Sequence, residues 1–532
     1  MNQTMERLKK MEEKDYTTLA RILFGLDTPT PVQQASEDEV KFFDETLNNS
    51  QRDAVKFALA SREVALIHGP PGTGKTYTLI ELILQLLHRK MRILVCGPSN
   101  VSVDNIVERL APHKLPILRL GPPARLLPSV LNHSLDVLTQ TSEASSIVKD
   151  VRKEMDAKQA SIKKTRNGRE RRVIYTDMKD LRKEYREREK QCISTLVGGS
   201  KVVLATLHGA GGYQLRNEEF DVVIIDEASQ ALEAQCWIPL LVAKKLVLAG
   251  DHLQLPPTVK STPSKAKPEK DKTNSESKDT STLETTLLSR LLTLHGPSIK
   301  RMLTTQYRMH EKIMRFPSDA MYDSALIAAP GVADRLLTTL PYPVKDTDDT
   351  REPLIFCDTQ GGDFPESAAS DEASGGDGKN PTKGSLLKDS KSNPSEALLV
   401  KAHVSALIAA GVHAEDIAVI TPYNAQLSYL SYDLGLKEQF PGIELGSVDG
   451  FQGREKEAVV VSLVRSNEAK EAGFLAEERR LNVAMTRPKR QLCAIGDSET
   501  VGRGSEFLKK WMEHLEGEAD LRYPNVADLQ ES

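Results

Sequence analysis

The sequence predicts an α/β protein with two domains, each built on a parallel sheet. Three observations predict it. Short apolar, β-branched runs alternate with helical stretches, these runs lack the inside/outside alternation of a half-exposed strand, and they fall into two series. The first series is EVALIHG at 63–69, RILVCGPS at 92–99, KVVLATL at 201–207, DVVIIDE at 221–227 and KLVLAGD at 245–251. The second is PLIFCDT at 353–359, DIAVITPY at 416–423, EAVVVSLVRS at 457–466 and QLCAIGDS at 491–498. A length of 532 residues also exceeds what one hydrophobic core serves.

Composition narrows the class. The chain is 39% hydrophobic and 27% charged, and no run approaches the 18 or so apolar residues that span a bilayer. It opens on MNQTMERLKKMEEKDY, which is charged where a secretory signal is apolar, so an intracellular protein is expected. Cys96, Cys192, Cys236, Cys357 and Cys493 are widely spaced and never form a CxxC pair, which argues for reduced packing residues rather than disulfides or a zinc module. A net charge of −4 gives no global basic signature, so any nucleic-acid surface must be local.

The first run opens into GPPGTGKT, residues 69–76, and then into the helical YTLIELILQLLH. Gly69, Gly72 and Gly74, with Pro70, Pro71 and Thr73 between them, let backbone amides curl around phosphate oxygens, and the helix beyond turns its N-terminus to the same charge. Lys75 then reaches the β- and γ-phosphates of a nucleoside triphosphate, Thr76 can bind Mg²⁺, and Tyr77 closes the nucleotide-contacting stretch. A mere glycine-rich turn would not need this strand-loop-helix context.

Between the second and third runs, residues 142–192 are charged and carry Ile147, Val151 and Met155, then Ile174, Met178, Leu181 and Tyr185, at spacings of three and four. Two helices with narrow apolar stripes follow, with Asn167-Gly168 as the turn. From Lys158 to Arg172 there are seven Lys or Arg against one Glu, a basic tip that is a candidate phosphate contact or simply a solvated face.

The fourth run ends in Asp226 and Glu227, where buried charge requires a ligand: Asp226 suits the metal and Glu227 the attacking water. The fifth leads into LAGDHLQLPP, whose Gln254 can bond the γ-phosphate or that water. A transition-state cation is still missing, and Arg308 in TTQYRMH and Arg487 in NVAMTRPKR offer two. Residues 260–282 and 361–395, rich in Ser, Pro, Gly and charge, are expected to be disordered insertions.

Taken in order, GPPGTGKT, PSNVSVDN, DEASQALE, GDHLQLPP, QYRMH, VDGFQGREKEAVVVSLVRSN and NVAMTRPKR resemble the motifs of the Upf-like group of superfamily 1B helicases. The likeness runs from about residue 42 to 515. ILRLGPPARLLPSV, CWIPLL, DIAVITPYNAQ and GFLAEERRLNVAMTR lie outside the catalytic minimum and narrow it to the subfamily of the immunoglobulin mu-binding and DNA polymerase alpha-associated helicases. The resemblance implies two tandem RecA-like domains, at 47–298 and 299–515, with ATP and Mg²⁺ as cofactors. It implies 5′ to 3′ translocation on single-stranded DNA or RNA without sequence specificity, in a monomer of cytoplasm and nucleus with replication or ribosome-associated partners. By position, Gln51 would read the adenine, Tyr307 would stack on it, Glu455 would contact the ribose, and Arg308 and Arg487 would be arginine fingers. Pro98, Ser99, Asn100, Thr206, Thr421 and Pro422 would grip the strand through phosphate and sugar, and the basic hairpin would lie beside it.

The match departs at the ends. Residues 1–46 resemble a final stalk helix and linker, so the β-barrel accessory domain of this group is expected to be absent, and the tail 516–532 leaves no room for further nucleic-acid-binding modules. Two rival readings keep the nucleotide site: a conformational switch, which would not need Glu227, Gln254 and both arginines, and a ribonucleoprotein remodeller with little strand separation.

Overall fold

The computed structural model describes residues 1–32, 40–141, 145–164, 167–258, 283–368 and 390–526. They form two compact units, one of Met1–Gly69, Gly74–His252 and Pro256–Leu303, the other of Pro70–Thr73, Leu253–Leu255 and the chain from Thr304 onward. Each contains one large parallel sheet, so the α/β class with two domains holds.

The first sheet has seven strands: β1 (Val64–His68), β2 (Ile93–Gly97), β3 (Ile117–Leu120), β4 (Val202–Thr206), β5 (Phe220–Ile225), β6 (Ala243–Gly250) and β7 (Lys300–Met302), in the order β3-β4-β2-β5-β6-β1-β7. Alternate residues explain the unbroken apolar runs. Leu66, Leu94, Val203, Val223 and Leu246 enter one core with Leu19, Ile22, Trp237 and Leu291, while Ala65, Ile67, Val95, Leu204, Ile224 and Val247 enter another with Ala54, Leu79, Ile83 and Val107. Both faces are thus covered, and each buried Leu or Ile contributes on the order of 2 kcal/mol of transfer free energy. β7 carries the first sheet beyond the boundary expected at 298, because Lys300–Met302 pairs with β1.

The N-terminal segment forms helices Asn2–Lys10 and Thr18–Phe24, and the second is capped by Thr17, whose hydroxyl accepts the Ala20 amide at 3.1 Å. Phe24 stacks on Trp237 with ring centroids 4.6 Å apart, fixing this helix to the sheet's own cover.

The expected hairpin is present as helices Ser145–Lys164 and Gly168–Gly199, with Asn167 capping the second by accepting the Arg169 amide. Val151, Met178 and Leu181 are buried along the stripe, and Lys158 pairs with Asp177 at 2.6 Å across the hairpin. The second helix outruns its expected end at 192 because Val197 is part of the sheet's core, with Ile193 and Leu196 packed against it.

The second sheet has six strands: β8 (Leu354–Asp358), β9 (Ile417–Thr421), β10 (Glu444–Ser447), β11 (Lys456–Ser462), β12 (Pro488–Gly496) and β13 (Asp520–Arg522), in the order β10-β9-β11-β12-β8-β13. Ile355, Val419, Val460 and Cys493 share a core with Ala397, Val400 and Leu407 of the helix Pro394–Ala409. All five cysteines are buried and free of disulfides.

One expected insertion, 260–282, lies outside the described residues. The other, 361–395, is too broadly drawn. Ser367–Ala368 pairs antiparallel with Lys391–Ser392, Glu366 makes a buried ion pair with Arg465 at 2.7 Å, and the buried Asn393 caps the helix that follows. Composition misjudges these flanks because their polar side chains have specific buried partners. Residues 369–389 lie outside the described part.

Candidate nucleotide and strand-binding site

The site of the first unit sits at the C-terminal ends of its parallel strands, where open α/β sheets hold ligands. β1 and β6 run in register to His68 opposite Gly250, and the Gly69 amide donates to the Gly250 carbonyl at 3.1 Å. A Cβ on Gly69 would meet the Cβ of Lys75 at 2.9 Å, and Gly74 turns into the helix Lys75–His88 at φ +76. The loop therefore needs glycine at both positions. Of the loop residues that belong to the second unit, Thr73 is buried, its hydroxyl donating to the Pro70 carbonyl at 2.7 Å; in the first unit, Thr76 is half-buried on the first helical turn and Tyr77 is exposed under the Arg109 guanidinium. Pro70 and Pro71 are buried.

Lys75 brings the loop to the acids. Its ammonium lies 3.0 Å from Asp226 and closer still to Glu227. Burial opposes the charge on Lys75, yet the Asp226 and Glu227 carboxylates outweigh it and hold the ammonium above its ordinary pKa. Burial also raises the Asp226 carboxyl, against the pull of Lys75. Glu227 takes the left-handed conformation, φ +52, a strained one for a residue with a side chain. That turn sets its amide on Asp226 at 2.9 Å, and Gln230 donates to its second oxygen at 2.9 Å. The Thr76 hydroxyl and the Asp226 carboxylate both offer oxygen, the donor chemistry that suits Mg²⁺.

Gln51 is buried and belongs to a capping box. Its amide nitrogen in the backbone donates to Asn48 and its side-chain oxygen accepts the Asn48 amide, both at 3.0 Å. Its Nε2 faces Gly74, which ties the helix Asn49–Ala60 to the loop.

The residues expected to contact a strand in the first unit also lie near one another. β2 and β4 pair with Gly97 opposite Thr206, so Pro98, Ser99 and Asn100 follow one strand and Thr206 ends its neighbour. Ser99 caps the helix Asn100–Leu110 by accepting the Ser102 amide at 3.1 Å, and Thr206 accepts the Gly209 amide at 3.1 Å. Beneath them lies a pair that the sequence does not disclose: Arg119 on β3, with no exposed surface, donates from Nε to Asp104 at 2.7 Å and from a terminal nitrogen to the Asn100 side-chain oxygen at 3.0 Å. His68 and Asp251, likewise buried, meet at 2.9 Å across β1 and β6. The only sequence signal for either pair is a charged residue set in an apolar strand or at its end.

In the second unit Tyr307 is exposed, and its amide donates to the Gly72 carbonyl at 2.8 Å. Arg308 is not free: it pairs with Glu455 at 2.7 Å and donates to the Thr486 carbonyl at 3.0 Å. Burial would raise the Glu455 carboxyl, but Arg308 and Lys489 hold it below its ordinary value. Arg487 is buried, donating to the Val483 carbonyl at 2.8 Å and to the Thr486 hydroxyl at 3.0 Å. Gln254 is half-buried, Thr421 is buried at the end of β9, and Pro422 beside it is half-buried.

Two AAA domain families match the chain, over residues 46–262 and 283–499. The DNA polymerase alpha-associated DNA helicase A of Schizosaccharomyces pombe is 48% identical over 98% of this chain and 74% of its own length. Its namesake in Saccharomyces cerevisiae is 43% identical over 99% of this chain and 76% of its own. The DNA-binding protein SMUBP-2 of Rattus norvegicus is 46% identical over 97% of this chain but 49% of its own, so the chain spans about half of that relative.

Proposed function

This chain belongs to the Upf1-like family of ATP-dependent nucleic-acid helicases, and from that premise we propose that it moves 5′ to 3′ along single-stranded DNA or RNA without sequence preference, with ATP hydrolysed at the Lys75 loop. The observation that carries the reading is Lys75 held against both Asp226 and Glu227 at the strand ends of the first sheet.

A γ-phosphate competes with the two acids for Lys75, and the Lys75 ammonium swings from carboxylate to phosphate as the nucleotide enters. Glu227, relieved of that partner, orients a water molecule and takes its proton, while Gln254 bonds the same water or the γ-phosphate. Thr76 and Asp226 would hold Mg²⁺, which when bound neutralises charge on the phosphate oxygens. Gln51 and Tyr307 take the adenine and Glu455 the ribose. Arg308, once it exchanges Glu455 for phosphate, and Arg487 are the expected arginine fingers. Asn100, Thr206 and their neighbours, with Thr421 and Pro422, hold the strand backbone. No helix among the described residues is long and apolar enough to cross a membrane. We further propose that it acts as a monomer in cytoplasm and nucleus with replication or ribosome-associated partners.

Steady-state ATP hydrolysis with and without oligonucleotide, beside Glu227→Gln, tests the proposal. Stimulation abolished by the substitution supports it. A rate that is sensitive to the substitution but indifferent to nucleic acid would favour a conformational switch.

A further inference from the structure

We infer that Arg119 is a positioning residue for nucleic-acid binding, acting through Asn100; this rests on the strand-binding reading of the first unit. Arg119 touches none of the surface itself. It lies on β3 with no exposed area, and its guanidinium is divided between the Asp104 carboxylate at 2.7 Å, the Leu120 carbonyl and the Asn100 side chain at 3.0 Å. The other Asp104 oxygen accepts the Leu127 amide at 3.0 Å, so the acid is fixed from two sides. Gly121 leaves room for the arrangement, since a Cβ there would stand 3.1 Å from an Arg119 terminal nitrogen.

A guanidinium has donors only, so the Asn100 atom that faces it must be the oxygen. That settles which way the amide points. The Asn100 Nδ2, with its two N–H donors, is turned away from Arg119, and among the described residues no acceptor takes it. Asn100 is half-buried at the first position of its helix, next to the exposed Ser99 and three residues beyond Gly97, which pairs with Thr206. Two donors held at such a place suit phosphate or sugar oxygens of a passing strand. Without the Arg119 bond the amide is free to flip and offer an oxygen to a phosphate, which repels it.

The contact is neutral on the protein side, which sets it apart from a lysine or arginine contact. It releases no counterion, so its loss lowers affinity without changing the slope of affinity against salt. It carries no base code, so oligo(dT) and oligo(dA) lose affinity equally.

The test uses the full 532-residue chain and a fluorescent oligo(dT), reading dissociation constants by anisotropy and the oligonucleotide concentration that half-saturates ATPase stimulation. Arg119→Lys keeps a cation for Asp104 but lacks the fork that reaches Asn100 as well. Asn100→Asp keeps an acceptor for Arg119 and replaces the outward donors by a charged oxygen, so it probes the same contact with phosphate repulsion added. Each substitution is expected to raise the dissociation constant about tenfold or more, the value of a hydrogen bond to a charged group. The half-saturating concentration should rise in step for Arg119→Lys, with the saturated rate recovered at high oligonucleotide. Combining Arg119→Lys with Asn100→Ala should cost no more than Asn100→Ala alone, because Arg119 acts through Asn100. Wild-type affinity in Arg119→Lys, or losses that multiply in the double variant, would overturn the inference. A wild-type protein that binds no strand would overturn the strand-binding reading itself, and this inference with it.

Discussion

Replacing Glu396 by Gln should stabilise the second unit at alkaline pH and leave it nearly unchanged in acid. Glu396 is wholly buried on the helix Pro394–Ala409, where its carboxylate accepts the Ser462 hydroxyl at 2.7 Å and the Val464 amide at 3.0 Å on each oxygen. Val464 itself holds φ +73, a conformation a β-branched residue keeps only when its surroundings impose it. Burial, outweighing those bonds and assisted by Asp497, pushes the Glu396 carboxyl up to about 7. The folded value lies above the unfolded one of about 4.3, so the native protein retains a proton that the unfolded chain releases. Stability is therefore lost as pH rises from about 4.3 to 7, and the full cost, on the order of 3 kcal/mol, stands above pH 7. Gln has no proton to lose and keeps the acceptor for Val464. The melting temperature of Glu396→Gln minus that of the wild type should accordingly grow by about 5 to 10 °C between pH 5 and pH 8, followed by calorimetry. An equal difference at both pH values would refute the assignment of that titration to Glu396.

Glu227→Gln should lower ATP turnover about a thousandfold while a fluorescent ATP analogue still binds, because the substitution removes the proton acceptor and spares Lys75. Arg308→Ala should cost about a thousandfold or more in stimulated steady-state ATPase if its cation meets the transferring phosphate; a change under tenfold would leave the Glu455 pair as its whole role. Phe24→Ala should cost about 1 kcal/mol by removing the stack on Trp237. It should also shift the emission of Trp237, leaving that of Trp511, buried in the second unit, as an internal reference.

The glycine-rich loop and the acids after β5 were legible as a cluster because their pattern is local: glycines, a lysine and a carboxylate at fixed offsets from an apolar strand. The long central strands were legible for a related reason, since burial on both faces leaves no polar position to break the run. β3, β7, β10 and β13 escaped notice. They are three or four residues long, and KRM and DLR carry charge at an edge, which strand periodicity cannot distinguish from a loop. The polar network of the site was equally hidden. Arg119 and Asp104 are 15 residues apart, and Glu366 and Arg465 are 99 apart, so each looks like ordinary surface charge until the sheet brings it to its partner. The pairing of Arg308 with Glu455 was invisible for the same reason: 147 residues separate two side chains to which the family resemblance gives different jobs.

The hairpin has a mechanical side. Its second helix, Gly168–Gly199, is 32 residues long, about 48 Å at the standard rise. Its base is clamped where Val197 enters the sheet's core, and the turn at Asn167 sits at the far end. A rod of that length is a lever: a pivot of about 10° at the base carries the turn through about 8 Å. Rearrangements at the strand ends too small to alter the packing of a sheet would thus register at the basic turn as a distance that a pair of spin labels can resolve.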